Sequence, residues 1–152
     1  MKRIIAITIL LSIVVFYANE RAFAEPFDAK GAASGFVVIV NIHGPLLDAD
    51  LAMVKSIYLG DKKFIDGVKV KPVNFSEGAL KEGFLESILS MTSKEYKLYW
   101  VKKVFQESAK LPRSIATTYG AVKFVKENEG GIAYIPSYSA KLLGREVVVI
   151  RL

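Results

Sequence analysis

The sequence predicts an α/β fold, a single three-layer α/β/α lobe with a mostly parallel central sheet. Residues 36–41, FVVIVN, form a continuous apolar run rich in β-branched residues, which is typical of a strand buried on both faces of a sheet. Segments with apolar residues at helical spacing alternate with further β-rich runs. The resulting order, β-α-β-α-α-α-β-β in one domain without internal repeats, indicates a sheet covered by helices.

The first predicted helix follows the first strand after a short loop. Asp48 or Asp50 can cap its amino terminus, and Gly60 stands at a plausible position just after its end. A turn at residues 66–67, Asp-Gly, introduces the second strand. Valines alternate with lysines in that strand over residues 68–73, so one of its faces is expected to be buried.

Two helices are predicted to follow in succession. Apolar residues recur at helical spacing between residues 80 and 89. Residues 92–95, Thr-Ser-Lys-Glu, form a capping box, in which the threonine oxygen and the glutamate satisfy backbone amides at the start of the next helix. That helix is expected to pack a stripe of large side chains into the core. The stripe consists of Tyr96, Tyr99, Trp100 and Val104.

The last third of the chain completes the predicted sheet. Residues 110–113, KLPR, are predicted to be a linker, and a fourth helix is expected over residues 117–127. Residues 132–135, IAYI, and residues 146–152, EVVVIRL, are the remaining predicted strands.

The amino terminus has the pattern of a secretory signal peptide. Lys2 and Arg3 precede an apolar run over residues 4–16, and residues 22–24, Ala-Phe-Ala, fit a cleavage site. The run is shorter than the roughly 20 residues that a membrane-spanning helix needs. We therefore predict cleavage after Ala24 and export to the periplasm, with an uncleaved membrane anchor as the alternative.

These observations divide the chain into three parts. Residues 1–24 are the predicted signal peptide, residues 25–35 a flexible leader, and residues 36–152 a single lobe.

Composition excludes several kinds of chemistry. The chain has no cysteine, which excludes disulfides, thiol catalysis and zinc ribbons. His43 is the only histidine, so neither a histidine metal cluster nor a specific Ser-His-Asp arrangement can be built. The net charge of +6 arises from scattered lysines without interleaved aromatic residues, which does not favour nucleic-acid binding. We expect no enzyme activity, no metal and no cofactor.

The most informative candidate site lies between the second strand and the second helix. Ser76, Glu77, Gly78 and Ala79 stand there, where free backbone amides and the positive end of the helix dipole can hold an anion. A glycine at this point allows a close approach of the backbone, and a serine hydroxyl can donate a further hydrogen bond. The alternative is an ordinary helix start that Ser76 caps.

Four further residues could contribute to an anion site. Thr117 and Thr118 begin the fourth helix, whose amino terminus is a second potential anion site. Arg113 has a guanidinium that suits an oxyanion, or it is a solvated linker charge. Asn41 ends the first strand, where it could orient a ligand or satisfy the following turn.

Three segments together resemble a known family. They are VVIVN with a following proline, the stretch from IYLGDK at residues 57–62 to the second helix, and GGIAY at residues 130–134. In order and spacing they are similar to the phosphate-binding proteins of bacterial ABC uptake systems, in the type II periplasmic binding superfamily. The resemblance covers residues 36–152 and one lobe only, whereas a complete protein of that type closes two lobes on its ligand.

The chain departs from this family at the phosphate loop. The family has an Arg-x-Asp-Gly-Ser-Gly-Thr loop, and the resemblance places Glu77, Gly78 and Ala79 where Ser-Gly-Thr would stand. Val73 stands where the arginine would be, so both hydroxyls and the guanidinium are missing at those positions. The carboxylate of Glu77 would also repel a dianion.

The resemblance implies an exported, non-enzymatic solute-binding protein that takes phosphate or a similar oxyanion at a helix amino terminus. A second lobe would then come from another protein or from a homodimer, and a membrane transporter, a sensor or a porin is the implied partner. The alternative is an interaction or sensory domain that keeps the fold and has lost the anion site.

Overall fold

The computed structural model describes residues 35–152. The predicted signal peptide, residues 1–24, lies outside the described residues, as does the predicted leader apart from Gly35.

The described residues form seven strands and four α-helices. The first half contains β1 (Phe36–Asn41), α1 (Leu51–Tyr58), β2 (Phe64–Ile65), β3 (Val68–Lys69), β4 (Lys71–Phe75) and α2 (Ala79–Phe84), which continues into a π-helical segment (Leu85–Leu89). The second half contains α3 (Ser93–Glu107), β5 (Arg113–Ile115), α4 (Thr118–Glu127), β6 (Gly131–Pro136), a 3₁₀ segment (Ser137–Leu142) and β7 (Val147–Ile150).

Five strands form the central sheet, in the order β5-β4-β6-β1-β7. β4 is parallel to β5 and β6, whereas β1 is antiparallel to both of its neighbours, β6 and β7. Four of the five strands therefore run in one direction, which confirms the mostly parallel sheet. The exception is β1. Its apolar run reflects burial on both faces, and burial does not determine strand direction.

Helices cover both faces of the sheet. On β6, the Tyr134 ring stacks on Phe84 of α2, with ring centroids 3.9 Å apart. A Cβ added to Gly131 of the same strand would lie 3.0 Å from the Cα of Val125 in α4. Side chains three positions apart on a strand point to opposite faces, so α2 and α4 lie on opposite sides. This arrangement confirms the three-layer prediction.

The predicted helix caps are present. Asp50 caps α1, with its Oδ1 accepting from the Met53 amide at 2.8 Å. Thr92 and Glu95 form the predicted capping box of α3. These side chains satisfy amides that have no partner within the helix, so the first turns of α1 and α3 are fixed locally.

The inner face of α3 differs from the prediction at one position. Tyr96 and Trp100 are buried as expected, but Val104 is 36% exposed and Lys103 is only 8% exposed. The Lys103 ammonium donates to the Asp61 carboxylate and, at 3.1 Å, to the Tyr99 hydroxyl, and Asp61 raises the pKa of Lys103. A lysine can occupy an inner position when its stem is packed and its charge is paired.

The other differences between the predicted and the observed elements concern short strands. The single strand predicted over residues 68–73 is divided, since β3 pairs with β2 in a separate hairpin and β4 enters the central sheet. The predicted linker over residues 110–113 runs into β5, which begins at Arg113. Strands of two or three residues are too short to show a periodicity in sequence.

Two buried tyrosines join β4 and β6 where these strands diverge. The strands pair only over their first two residues. Beyond that point, the Tyr58 hydroxyl donates to the Val73 carbonyl at 2.9 Å. The Tyr134 hydroxyl accepts from the Phe75 amide at 3.1 Å and donates to the Asn74 side chain. The hydroxyls thus satisfy backbone groups at the end of β4 that strand pairing leaves free.

The free energy of unfolding is expected to fall as the pH rises above about 10, the ordinary tyrosine value. Burial raises the pKa of Tyr58 and of Tyr134, so the unfolded chain loses these protons at a lower pH than the folded chain. Their stabilising contribution is complete below the unfolded-state pKa and is lost as the pH rises through the folded-state pKa. Urea unfolding at a series of pH values measures this fall in the free energy of unfolding.

Lysines also titrate at alkaline pH, and the variant Tyr134→Phe separates the contribution of the tyrosine to the pH dependence from theirs. It should lose about 1–3 kcal/mol at neutral pH, because the Phe75 amide loses its partner, and its stability should depend less steeply on alkaline pH. Tyr119→Phe, at a 68% exposed position, is the control and should change neither quantity. An identical pH dependence in Tyr134→Phe and the parent would contradict the assignment.

Candidate functional site

The predicted anion loop lies at the carboxyl edge of the parallel strands. Phe75 at the end of β4 is level with Ile115 at the end of β5. The next residue, Ser76, donates to the Ile115 carbonyl through its amide at 2.9 Å and through its hydroxyl at 3.3 Å. The two strand-to-helix loops are therefore joined side by side. Ligands of open α/β sheets bind at this kind of edge.

The amino terminus of α2 has no side-chain cap. Gly78 is the N-cap residue, and no side chain of the described residues accepts a hydrogen bond from the first turn. Ser76 is not the cap of this helix, because Gly78 is the N-cap residue and the only bond of the Ser76 hydroxyl in the described residues is the one that it donates to Ile115. The first-turn amides, at residues 79–81, are thus left to solvent or to a ligand.

Gly78 has a backbone conformation that glycine alone adopts readily. Its φ is 102° and its ψ is 169°. A Cβ at this position would strain the backbone by about 1–3 kcal/mol. The backbone conformation by itself therefore explains why a glycine occupies position 78, and a role in anion binding is a second, proposed reason.

A lysine that sequence reasoning did not select lies at the loop. The Lys81 ammonium, in the first turn of α2, donates to the Ser76 carbonyl at 3.0 Å. It adds a positive charge beside the uncapped helix terminus, whereas Glu77 in the same loop is exposed and negative. The sequence does not predict this contact, because Lys81 is one of many scattered lysines. Only the folded loop brings its ammonium close to the Ser76 carbonyl.

The amino terminus of α4 lies at the same edge and is capped. Thr117 is the N-cap residue, and its Oγ1 accepts from the Gly120 amide at 3.0 Å. Its hydroxyl hydrogen can still donate. Thr118 is the first residue of the helix and is half-buried. Thr117 and Thr118 follow, by two and three residues, the Ile115 carbonyl that binds Ser76, so the start of α4 lies at the same edge as the Ser76 loop.

Asn41 lies at the other end of the sheet. It follows Val40, which is level with Ile132 near the start of β6, because β1 runs antiparallel. The Asn41 amide group donates to the carbonyls of Val125 and Lys126, each at 3.0 Å. These bonds tie the end of β1 to the last turn of α4, so the observed role of Asn41 is structural.

Arg113 is set back from the edge. It is the first residue of β5, two residues before Ile115, which corresponds to about 7 Å along a strand. Its guanidinium carbon lies 5.3 Å from the centroid of the Phe124 ring of α4. The structure does not bring Arg113 to the Ser76 loop.

Within residues 35–152, no group of three or more His, Cys, Asp or Glu side chains could hold a metal ion. No helix in that same range is both long and apolar enough to cross a membrane.

The variant Gly78→Ala is expected to lower the free energy of unfolding by about 1–3 kcal/mol, because alanine is strained at a φ of 102°. Gly83→Ala is a matched control in the same helix. An added Cβ there has no neighbour within 4 Å, so this change should stabilise the protein by about 0.5–1 kcal/mol. Urea unfolding measures both, and equal effects of the two changes would contradict this account of Gly78.

No protein-family model matches the chain, and no curated protein sequence matches it. Solved structures match the chain in fold. An ABC-type phosphate transport receptor from Vibrio cholerae superposes with a TM-score of 0.56 at 17% identity, covering 77% of this chain and 45% of the receptor. A possible phosphate binding protein from Planctomyces limnophilus gives a TM-score of 0.54 at 14% identity, covering 77% of this chain and 40% of that protein.

The chain therefore spans less than half the length of these two proteins. At these identities the similarity concerns the fold. In fold, the chain resembles one lobe of the phosphate-binding receptors of ABC transporters.

Proposed function

We propose that the protein is an exported solute-binding protein that binds phosphate or a similar oxyanion at the edge formed by the Ser76 loop and the start of α4. The observation that carries the proposal is the uncapped amino terminus of α2, joined to the amino terminus of α4 through the Ile115 carbonyl. The proposed ligand groups are Ser76, Gly78, Ala79, Lys81, Thr117 and Thr118. Three predicted site residues, Asn41, Arg113 and Glu77, are not among the proposed ligand groups.

The electrostatics of the edge favour an anion. A helix amino terminus carries about half a unit of positive charge, and the free amides of residues 79–81 can donate directly to oxyanion oxygens. The Lys81 ammonium adds a full charge, and it already lies within hydrogen-bond distance of the loop carbonyl. The ammonium has three N–H donors, so it can donate to an oxyanion while it keeps its bond to the Ser76 carbonyl.

Other features indicate a modest affinity. Glu77 places a carboxylate in the loop, and the loop lacks a hydroxyl or an arginine at the positions where the phosphate-binding family carries them. A single lobe also leaves a bound anion open to water on one side. We propose that another protein or a second copy covers it, and that the complex delivers the anion to a membrane transporter. Cleavage of the signal peptide after Ala24 and a periplasmic location complete the proposal.

Titration calorimetry with phosphate tests the site. Lys81→Gln should weaken phosphate binding about ten- to a hundredfold, because it removes a charge-assisted hydrogen bond. Glu77→Gln should tighten it about two- to fivefold by removing a like charge next to the helix terminus. Lys69→Gln and Glu129→Gln, on exposed residues near the start of β4 and of β6, are the matched controls and should leave affinity unchanged.

Sulfate is a dianion without a proton, so sulfate in place of phosphate tests whether the site requires the O–H group of hydrogenphosphate. Absence of heat with either anion at millimolar concentration, from a protein with intact circular dichroism, would contradict the proposal. That result would favour the interaction domain without a ligand.

A further inference from the structure

The outer face of α3 exposes a row of large apolar side chains. Leu98 is 52% exposed, Val101 47% and Phe105 88%. Spacings of three and four residues place them along one line of the helix, about 10 Å long. We call these three residues the apolar stripe. Single exposed apolar residues are ordinary, but a contiguous row on one helix indicates a contact surface.

The orientation of α3 is fixed by its inner face, so the apolar stripe cannot turn inward. The Tyr96 hydroxyl donates to the Tyr58 carbonyl at 3.0 Å, and the Tyr99 hydroxyl donates to the Leu59 carbonyl at 2.8 Å. Trp100, the residue after Tyr99, is buried and forms edge contacts with both tyrosine rings. The helix presents its stripe to the outside as a consequence of this packing.

Lysines surround the apolar stripe. Lys94 lies on the line of the stripe, four residues before Leu98, and Lys97 and Lys102 stand on either side of it. All three lysines are exposed, and none of them pairs with a carboxylate within the described residues.

The carboxylates of α3 are engaged elsewhere. The Glu95 carboxylate accepts from the Thr92 amide at 2.8 Å and from the Thr92 hydroxyl at 2.9 Å. Glu107 lies 3.7 Å from the inner Lys103. The exposed face is therefore apolar along its middle and bordered by three unpaired lysines, with Glu95 as a single carboxylate at its amino-terminal edge.

We propose that this face of α3 binds peripherally to an anionic lipid surface. The apolar stripe enters the headgroup region, and the three lysines contact lipid phosphates. Apolar residues on one side of a helix, with lysines beside them, are the features of helices that lie in the membrane interface. Each lysine near an anionic surface strengthens binding about fivefold.

Charge complementarity selects lipid over a second copy of the chain. A symmetric pairing through this face would bring two sets of three lysines together, with a single Glu95 carboxylate in each copy to offset them. A fluid bilayer also accepts three protruding side chains without a matching pocket, whereas an acidic protein would need a groove shaped for Phe105. The proposal does not depend on the anion site, which lies on other elements.

A tryptophan at position 105 reports contact with lipid directly. In the full chain, Phe105→Trp is expected to show a blue shift and quenching on addition of phosphatidylglycerol–phosphatidylcholine vesicles with brominated acyl chains. Tyr119→Trp, on the exposed side of α4 across the sheet, is the matched control and should show neither. Trp100 is buried and contributes the same background to both, and both variants carry the same residues 1–34.

Charge removal tests the role of the lysines. Replacing Lys94, Lys97 and Lys102 with Gln should lower the apparent affinity for anionic vesicles about a hundredfold. Quenching of the tryptophan at position 105 measures this affinity. Replacing Lys69, Lys123 and Lys141 with Gln removes the same charge from other surfaces and should have a far smaller effect. Vesicles of phosphatidylcholine alone should bind much more weakly than the anionic ones.

Three results would overturn the proposal. Equal quenching of both tryptophan variants, or of neither, would show that the stripe does not contact lipid. A dimer in sedimentation velocity that Phe105→Ala dissociates would assign the stripe to a second copy. Binding of an acidic amphipathic peptide, but not of anionic vesicles, would assign it to a protein partner.

Discussion

The described lobe depends on how the end of β4 is held after it leaves β6. Strand pairing stops after two residues, and two tyrosine hydroxyls then satisfy the free backbone groups, Tyr58 at the Val73 carbonyl and Tyr134 at the Phe75 amide. Both rings belong to one aromatic cluster with Phe84 of α2, so the strand end and the helix that follows it are fixed by the same side chains. The position of the Ser76 loop follows from these contacts.

This arrangement sets what the carboxyl edge can do. Divergence from β6 leaves the end of β4 beside β5, and the Ser76 bond to Ile115 then places two helix amino termini at one edge. Gly78 lets the chain turn into α2 without a side chain that would cap it. The proposed anion site therefore relies on backbone amides, on Lys81 and on hydroxyls at other positions than those of the phosphate-binding family, and it has no arginine.

Sequence reasoning was most successful where the signal is local. Strand β1, the Asp50 cap, the capping box at Thr92 and the start of α4 at Thr117 depend on neighbouring residues, and the structure has all four. It was less successful where the outcome depends on distant partners. The reversed direction of β1 places Asn41 at the far end of the sheet, and the inner position of Lys103 requires Asp61 from another element. The contact of Lys81 with the loop likewise appears only once the fold is formed.

The central claim is that an oxyanion binds at the backbone of this edge, and amide chemical shifts in solution test it most directly. During a phosphate titration followed by NMR, the amides of Gly78, Ala79 and Leu80 and those at the start of α4 should shift together along one binding curve. The amides of Val40 and Asn41, at the opposite end of the sheet, should stay in place. Shifts confined to that opposite end, or no shifts at millimolar phosphate, would contradict the account.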